Sequence, residues 1–518
     1  MSAGSTAAAA LTSAFGPVFR SLGVRNYRIW ATGAIVSNVG VWMQRVAQDW
    51  LVLTELTDES AVALGITTAL QFGPILLLGP LAGLVADRLP QRGLLMATQL
   101  LSGLWALLLG LLVIGGHAQL WQVYVLAGLL GATSAFDGPV RQTFVASMVP
   151  PAQLANAVGL NSASFNAARL VGPGVAGLMI AAFGTGPVFL ANAASFGATF
   201  AALLALRTRE LHPLPRAPRG RGATREGFAY VRGRPDILLI LVVVGLVGAF
   251  GMNFQMTTAL MARVEFGRGA TEYGLLGSVM AIGSLSGALL AARRERPRLR
   301  LVVGAAVAFG VSALVASAMP TYELFAVALV PVGLSALTLM TAANATVQTT
   351  TEPALRGRVM AVYMAVFAGT APIGAPLVGW VGEVAGPRWS IAVGGVAALL
   401  AAAVVVAVVA RRQEITVHAS VHARPHLQLE LTDLGTERPD VSRSAPPAAL
   451  VRESAGDGVP AVAPSRESAG DGAPAPARGP VADPPRPAAA RSGGERRPGA
   501  RPAARAPGER RRSGARVG

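Results

Sequence analysis

The stretch GLVADRLPQRG, from Gly83 to Gly93, interrupts a chain that is apolar on both sides of it. The whole chain has 518 residues, of which 52% are hydrophobic and 14% are charged, and its mean hydropathy is +0.50. Soluble proteins carry about 25% charged residues. The composition therefore predicts a membrane protein in which Gly83–Gly93 is a turn between two spans.

Segments of about 20 apolar residues, the length that crosses a bilayer, recur along the chain from residue 27 to residue 410. They predict an all-α membrane protein with twelve transmembrane helices in two six-helix halves. We number the predicted spans one to twelve, at 28–52, 61–86, 94–115, 120–144, 155–182, 186–206, 237–261, 272–292, 299–318, 322–348, 358–383 and 389–410.

Arginine placement predicts the orientation of these spans. The segments on the side of the N-terminus hold dense arginine clusters, including 207–234 and 293–300, whereas the opposite loops are mostly acidic. Cytoplasmic loops are rich in Lys and Arg, so we expect both termini in the cytoplasm. Because the net charge of +17 is divided among loops and tail, we expect a lipid bilayer and no nucleic acid as partner.

The connector between spans six and seven divides the chain. We expect an N-terminal half at 1–206, a connector at 207–236, a C-terminal half at 237–410 and a disordered tail at 411–518, since the tail is rich in Pro, Ala, Gly and Arg. Weak similarity at an offset of 202 relates Ala163, Phe165, Gly172, Gly177 and Gly184 to Ala365, Phe367, Gly374, Gly379 and Gly386. This offset pairs span five with span eleven, as in transporters built from repeated halves.

Cofactor sites are not indicated. The chain has no cysteine, and the sequence contains no Walker A motif for ATP. His418, His422 and His426 have helical spacing, but Pro425 interrupts that helix, so we expect no metal site there. We therefore expect no cofactor and no enzymatic activity.

Charged residues inside the predicted spans are the candidate functional residues. Arg45 and Asp49 lie four residues apart in span one, Asp137 and Arg141 lie four apart in span four, and Arg169 is near the middle of span five. A charge near the bilayer centre costs ~2.5–3.5 kcal/mol, so it tends to mark a pathway or a paired site. Arg169 has no local partner, and Asp137 is its natural candidate.

Proton coupling needs a carboxylate whose proton affinity rises when the group is desolvated and falls when a cation approaches it. Asp49 and Asp137 both qualify, with Arg45, Arg141 and Arg169 balancing their charge. The alternative is that both aspartates are static partners that hold helices together.

Four residues of the opening stretch, Gly83, Asp87, Arg88 and Arg92, have the spacing of a known loop signature. In this the chain resembles the major facilitator superfamily, although Gly93 replaces the signature's final basic residue. Segments 38–57, 136–144 and 154–177 resemble the branch of bacterial enterobactin-type exporters, and the resemblance covers roughly residues 15–410.

The resemblance implies a role for this loop. In the family, its aspartate helps to lock the outward-facing state through contacts with the other half. That role is implied for Asp87, with Arg88 and Arg92 as supporting charges. The corresponding position of the second half is Ala291, so we expect a one-sided latch.

The segment RLVGPGVAG, 169–177, resembles the family's span-five antiporter motif through Gly172, Pro173 and Gly177, although Ala168 and Ala176 depart from it. Small residues permit close helix approach and proline bends a helix, so we expect a structural hinge.

Together these features predict a secondary transporter that exports a small, partly apolar molecule, such as a siderophore, drug or metabolite. We expect proton antiport with alternating access, by a monomer, as is usual for the fold. An importer of the same fold is an alternative, as is a non-transporting receptor or scaffold whose tail binds a partner.

Overall fold

Twelve long helices build the computed structural model, which describes residues 19–212, 223–292, 299–353 and 355–412. Each observed helix lies within a few residues of its predicted span. Spans one to six are Arg25–Leu51, Ala61–Arg88, Gln91–Ile114, Leu120–Met148, Leu154–Phe183 and Gly186–Leu204. Spans eight to twelve are Ala270–Ala292, Leu299–Ser317, Tyr322–Thr350, Arg356–Ala385 and Pro387–Arg412.

Span seven is interrupted. It runs as Pro235–Gly251, continues after a short break as Phe254–Leu260 and ends in a π-helical turn, Met261–Glu265. A similar turn, Val52–Leu56, extends span one, and a short helix, Ala223–Arg232, lies in the connector. Arg411 and Arg412, the first two residues of the predicted tail, are helical and end span twelve, and the rest of the tail, including its three histidines, falls outside the described residues.

Span one differs from the other helices in polarity. Eleven of the described helical segments are long and apolar enough to cross a membrane, and span one does not join them although it has 27 residues. Its charged and amide side chains lower its hydropathy. Span one packs against spans five and six, so neighbouring helices shield much of its polar surface from lipid.

Helix packing repeats between the N-half, spans one to six, and the C-half, spans seven to twelve. Span one packs on spans five and six, span two on span four, and span three on spans four and six. In the C-half, span seven packs on eleven and twelve, span eight on ten, and span nine on ten and twelve. Between the halves, span two packs on span eleven and span five on span eight. The packing pattern therefore has a twofold repeat.

Two glycines show the repeat at residue level. A Cβ added to Gly177 in span five would lie 2.5 Å from the carbonyl oxygen of Ala270, at the start of span eight. A Cβ added to Gly379 in span eleven would lie 2.5 Å from the carbonyl oxygen of Ala61, at the start of span two. The two glycines are 202 positions apart and make corresponding contacts across the halves.

The two ends of the bundle differ. We call the end where span one begins and span twelve finishes the terminal face, and the opposite end the far face. One hydrophobic core is shared by both halves at the far face, whereas the N-half has a separate cluster around Tyr27, Trp30 and Phe144 at the terminal face. Among the described residues, hydrogen bonds between the halves extend only from the far face to mid-depth, through Glu59–Arg263, Ser60–Glu383, Val62–Glu383, Asp49–Tyr273, Gly177–Thr271 and Leu170–Ser278. In the described residues, the contacts that join the halves thus lie between the far face and mid-depth.

Candidate functional site

Span one carries a cluster of polar and aromatic side chains inside the bundle. Trp42, Arg45 and Asp49 are spaced three and four residues apart, so they share one face of the helix. Trp42 is 7% exposed and Asp49 is 8% exposed. The Trp42 ring lies edge-on to Phe165 of span five at 5.8 Å, and the Arg45 guanidinium lies 5.5 Å from the Phe72 ring of span two. This face of span one therefore looks between spans two and five.

Two arginines stand beside one indole ring in this cluster. The Cζ atom of Arg45 lies 4.9 Å from the centroid of the Trp42 ring, and that of Arg169 lies 5.7 Å from it. Neither guanidinium forms an ion pair within 4.0 Å or a hydrogen bond in the part of the chain that the structure describes. Arg45 is within electrostatic range of both Arg169 and Asp49. With both arginines and Asp49 ionised, the cluster holds one positive charge in excess.

Asp49 makes its hydrogen bond across the boundary between the halves. The phenol oxygen of Tyr273, in the first turn of span eight, lies 3.2 Å from Asp49 Oδ2 and 3.2 Å from the carbonyl oxygen of Gln255. The Tyr273 ring also stacks on Trp50 of span one, with centroids 5.9 Å apart. A single phenol proton therefore faces two acceptors.

Asp137 belongs to a different cluster. Its Oδ1 atom accepts hydrogen bonds from Thr98 Oγ1 at 2.8 Å and Gln99 Nε2 at 2.7 Å, and its Oδ2 atom pairs with Arg141 Nε at 2.7 Å. The prediction that Asp137 is the partner of Arg169 is therefore wrong. Arg141 lies one turn further along the same helix and pairs with Asp137. The Arg169 guanidinium instead lies beside Trp42 of span one.

The loop signature spans the end of span two and the start of span three. Arg92 donates hydrogen bonds of 2.9 and 3.2 Å to two carbonyl oxygens in the last turn of span six, which anchors span three within the N-half. Arg88 is exposed, and an added Cβ on Gly83 would meet no atom within 4 Å. The side chain of Asp87 lies outside the described residues, so its latch role stays a prediction.

The span-five motif lies where the halves cross. Span five continues through Pro173 without a break. A Cβ on Gly172 would lie 2.6 Å from Trp42 Cβ, and one on Gly277 of span eight would lie 2.9 Å from Pro173 Cβ. Together with Gly177, these residues allow span five to approach spans one and eight closely. The hinge role of the motif stays a prediction.

A cavity of about 430 Å³ lies between spans ten and eleven of the C-half. None of its lining residues is charged, so the charged residues of the sequence do not indicate this cavity. The sequence signal that could have found it is the polar spacing of Thr341, Asn344 and Gln348 in an otherwise apolar span. Its lining residues are Met340, Thr341, Asn344, Tyr363, Met364 and Phe367.

Two acidic residues tie the halves together at the far face. Glu59, after span one, pairs with Arg263 of the C-half at 2.8 Å. Glu383, near the end of span eleven, accepts hydrogen bonds from Ser60 Oγ and Val62 N, both at 2.9 Å. Among the described residues, no group of three acidic or histidine side chains could hold a metal ion.

The fold and the interior site define the class of protein. Two repeated halves of membrane helices, with charged side chains between the helices, form a transporter of the major facilitator fold. The chain belongs to the family of transmembrane secretion effectors, whose sequence profile matches residues 12–438. It is therefore a multi-pass membrane transporter of small molecules and not an enzyme.

Individual relatives and structures agree with this class. The chain is 30% identical to the multidrug efflux pump Tap of Mycolicibacterium fortuitum over 368 residues, which is 68% of this chain and 88% of Tap. It is 33% identical to the staphyloferrin A transporter of Staphylococcus aureus over 156 residues, covering 30% of this chain and 39% of that transporter. A bacterial homologue of the human lysosomal transporter Spinster, solved in an inward-facing conformation, has the same fold with a TM-score of 0.58 and 14% identity, covering 73% of this chain and 95% of that one.

Proposed function

We propose that this transporter exports a small, partly apolar molecule from a bacterial cell by proton antiport with alternating access. It acts as a monomer in the inner membrane, with both termini in the cytoplasm. The similarity to an efflux pump supports the outward direction, and the arginine-rich segments on the terminal side support the orientation. Siderophores, drugs and secreted metabolites are the candidate substrates.

In this orientation the terminal face is cytoplasmic. In the described residues the halves share a core at the far face, whereas the terminal-face cluster of the N-half contains no residue of the C-half, which supports a transporter that receives its substrate from the cell. Export then requires the far-face contacts to open. The hydrogen bonds between the halves are therefore the contacts that a coupling ion has to control.

The hydrogen bond between Asp49 and Tyr273 is the observation that carries the proposal. The Tyr273 phenol has one proton for two acceptors, Asp49 Oδ2 and the carbonyl oxygen of Gln255. With a proton on Asp49, the carboxyl group can donate to the phenol oxygen while the phenol donates to the Gln255 carbonyl. Loss of that proton leaves a buried, ionised carboxylate with the phenol as its donor, which is costly in the closed far face, while the Gln255 carbonyl keeps a hydrogen bond from Thr258 Oγ1 at 3.2 Å. Proton binding at Asp49 thereby favours far-face closure, and proton release favours opening.

The contacts favour Asp49 over Asp137 as the coupling carboxylate. All three hydrogen bonds of Asp137 come from spans three and four of the N-half, so movement of one half against the other does not change them. We therefore assign Asp137 and Arg141 to holding these spans together. Arg45 and Arg169 balance the charge of Asp49 during the cycle.

Everted membrane vesicles with an acidic interior test the proposal. Addition of a transported drug or siderophore should release protons from wild-type vesicles, because substrate export is exchanged for protons. Asp49→Asn should abolish this release, whereas Asp49→Glu should retain part of it and Asp137→Asn should retain most of it. Substrate-driven proton release that persists in well-expressed Asp49→Asn would refute coupling at this residue, and release lost only in Asp137→Asn would move coupling to span four.

A further inference from the structure

We infer that the cavity between spans ten and eleven binds the aromatic ring system of the transported molecule, and that this molecule carries no positive charge. The inference rests on the proposed function, because it names the class of substrate that the exporter moves. In this inference the C-half binds the aromatic ring system, and the N-half provides the charged side chains of the interior.

The polar side of span ten indicates that the cavity faces water. Thr341, Asn344 and Gln348 recur at intervals of three and four residues, so they form a stripe along one face of the helix. Asn344 and Gln348 hydrogen-bond to each other. Polar side chains in membrane helices face a bundle interior or a water-filled space rather than lipid. This places the stripe towards the bundle interior or water.

The position of the cavity along the helices supports this orientation. Met340 and Asn344 lie in the part of span ten nearest the terminal face, and Tyr363 and Phe367 lie in the corresponding part of span eleven. At that end the N-half has its own hydrophobic cluster and does not share the core of the C-half. The cavity therefore lies in the half of the bundle depth that is nearer to the terminal face.

The lining matches a flat apolar ring system. Two methionines and two aromatic residues form most of the wall, and Met364 and Phe367 are 50% and 39% exposed. Methionine sulfur and aromatic rings both make favourable contacts with aromatic groups. Thr341 and Asn344 supply hydrogen-bonding groups at the edge. The volume of about 430 Å³ falls within the roughly 300–1,000 Å³ of small-molecule sites.

Charge excludes one class of aromatic molecule. The C-half has no charged residue in span ten between Glu323 and Glu352, or in span eleven between Arg358 and Glu383. Across the interior, Arg45 and Arg169 leave an excess positive charge beside Trp42. A cation near these arginines would be repelled by this excess. A neutral or anionic aromatic amphipath fits both halves.

Three naphthalene derivatives with the same ring and different charge test the inference. We would measure their binding to the purified full-length protein in lipid nanodiscs by titration calorimetry, using 2-naphthamide, 2-naphthoate and 2-naphthylmethylammonium. We expect the neutral or the anionic compound to bind at least about tenfold more tightly than the cation, given the excess positive charge. Equal or tighter binding of the cation would overturn the inference, as would absence of binding by all three.

Substitutions in the cavity locate the binding site. Met364→Ala and Phe367→Ala should each weaken binding of the preferred compound by about tenfold, because each removes a contact with the ring. Leu377→Ala is the matched control, since Leu377 is 46% exposed on the same helix and does not line the cavity. Phe367→Leu serves if the alanine variant does not fold. Unchanged binding in the folded cavity variants would overturn the inference.

The binding assay needs no proton gradient, so its failure is distinguishable from failure of the proposed function. Binding that depends on Phe367, together with no proton release in vesicles, would refute proton antiport and keep the cavity as the ring site. Proton release that depends on Asp49, with binding unaffected by Phe367→Ala, would keep the exporter and refute the cavity.

Discussion

The N-half and the C-half have the same helix packing but different side chains at corresponding positions. In span four, Asp137 and Arg141 form an ion pair at a spacing of four residues. In span ten, the positions 202 residues later are Leu339 and Ala343. An amide pair, Asn344 and Gln348, lies five residues further along at the same spacing. The repeated backbone thus carries an ionic pair in one half and a neutral pair in the other.

Aromatic packing differs between the halves in the same way. Gly172 of span five contacts Trp42 of span one, whose ring packs against Phe165. The corresponding glycine of span eleven, Gly374, contacts Ala249 of span seven. Alanine has no aromatic ring that could pack against Phe367. Beside this crossing the N-half has an indole and charged groups, whereas in the C-half Phe367 lines a cavity. The comparison shows that close backbone contacts can be kept by a duplicated fold while its side chains diverge.

The largest effect that we expect tests the ionic pair of the N-half. Asp137→Ala removes the acceptor of Thr98, Gln99 and Arg141 and leaves a guanidinium that is only 19% exposed without its partner. Breaking such a pair costs about 3 kcal/mol or more. The apparent melting temperature of the purified protein should fall by many degrees.

The matched change in the C-half is Asn344→Ala, which breaks the amide pair with Gln348. Because both amides are neutral and Gln348 is exposed, we expect a loss of about 1 kcal/mol or less. Equal melting temperatures of the two variants would contradict the chemical difference between the halves.

A smaller effect is expected at the two close helix crossings that the halves share, at Gly177 and Gly379. Gly177→Val and Gly379→Val each force a side chain against backbone at the start of the opposite span. Overpacking of this kind costs about 1–3 kcal/mol and here opposes far-face closure. Transport measured in vesicles should fall about tenfold or more in both variants, by similar factors, since 1.4 kcal/mol corresponds to tenfold.

Gly159→Val in span five is the control for these two variants, because its Cβ would meet no atom within 4 Å. It should transport at the wild-type rate. A strong defect in only one of Gly177→Val and Gly379→Val would show that the two crossings are not equivalent in the cycle.

The smallest effect concerns the far-face ion pair between Glu59 and Arg263, whose side chains are 39% and 42% exposed. An exposed pair contributes about 0.2–1 kcal/mol, so Glu59→Gln should shift the balance away from far-face closure by about twofold. Spin labels at Leu89→Cys and Gly357→Cys can report this shift as a distance distribution, because the chain contains no other cysteine.

Glu323→Gln is the control for that measurement. It breaks a similarly exposed ion pair with Arg268 that lies within the C-half and does not join the halves. Its distance distribution should match that of the wild type. A shift of equal size in Glu323→Gln would assign the effect to general surface charge.

The length and position of the apolar segments predicted the twelve spans. Apolar length decides where a helix crosses a bilayer, and glycine positions 202 residues apart marked the repeat that pairs span five with span eleven. Even span one, which lacks the hydropathy of the other helices, was located because its apolar residues surround the charged ones. These properties are local, so the order of residues is sufficient to predict them.

The contacts of the interior side chains follow only from the packed bundle. Asp137 hydrogen-bonds to Thr98, Gln99 and Arg141 and not to Arg169. Asp49 hydrogen-bonds to Tyr273, which lies 224 residues away in the other half. The cavity is lined by both span ten and span eleven, so neither segment by itself defines it. Contacts of this kind depend on the rotation, depth and tilt of every helix in the bundle. Packing of all twelve spans fixes those quantities together, so no single segment encodes them.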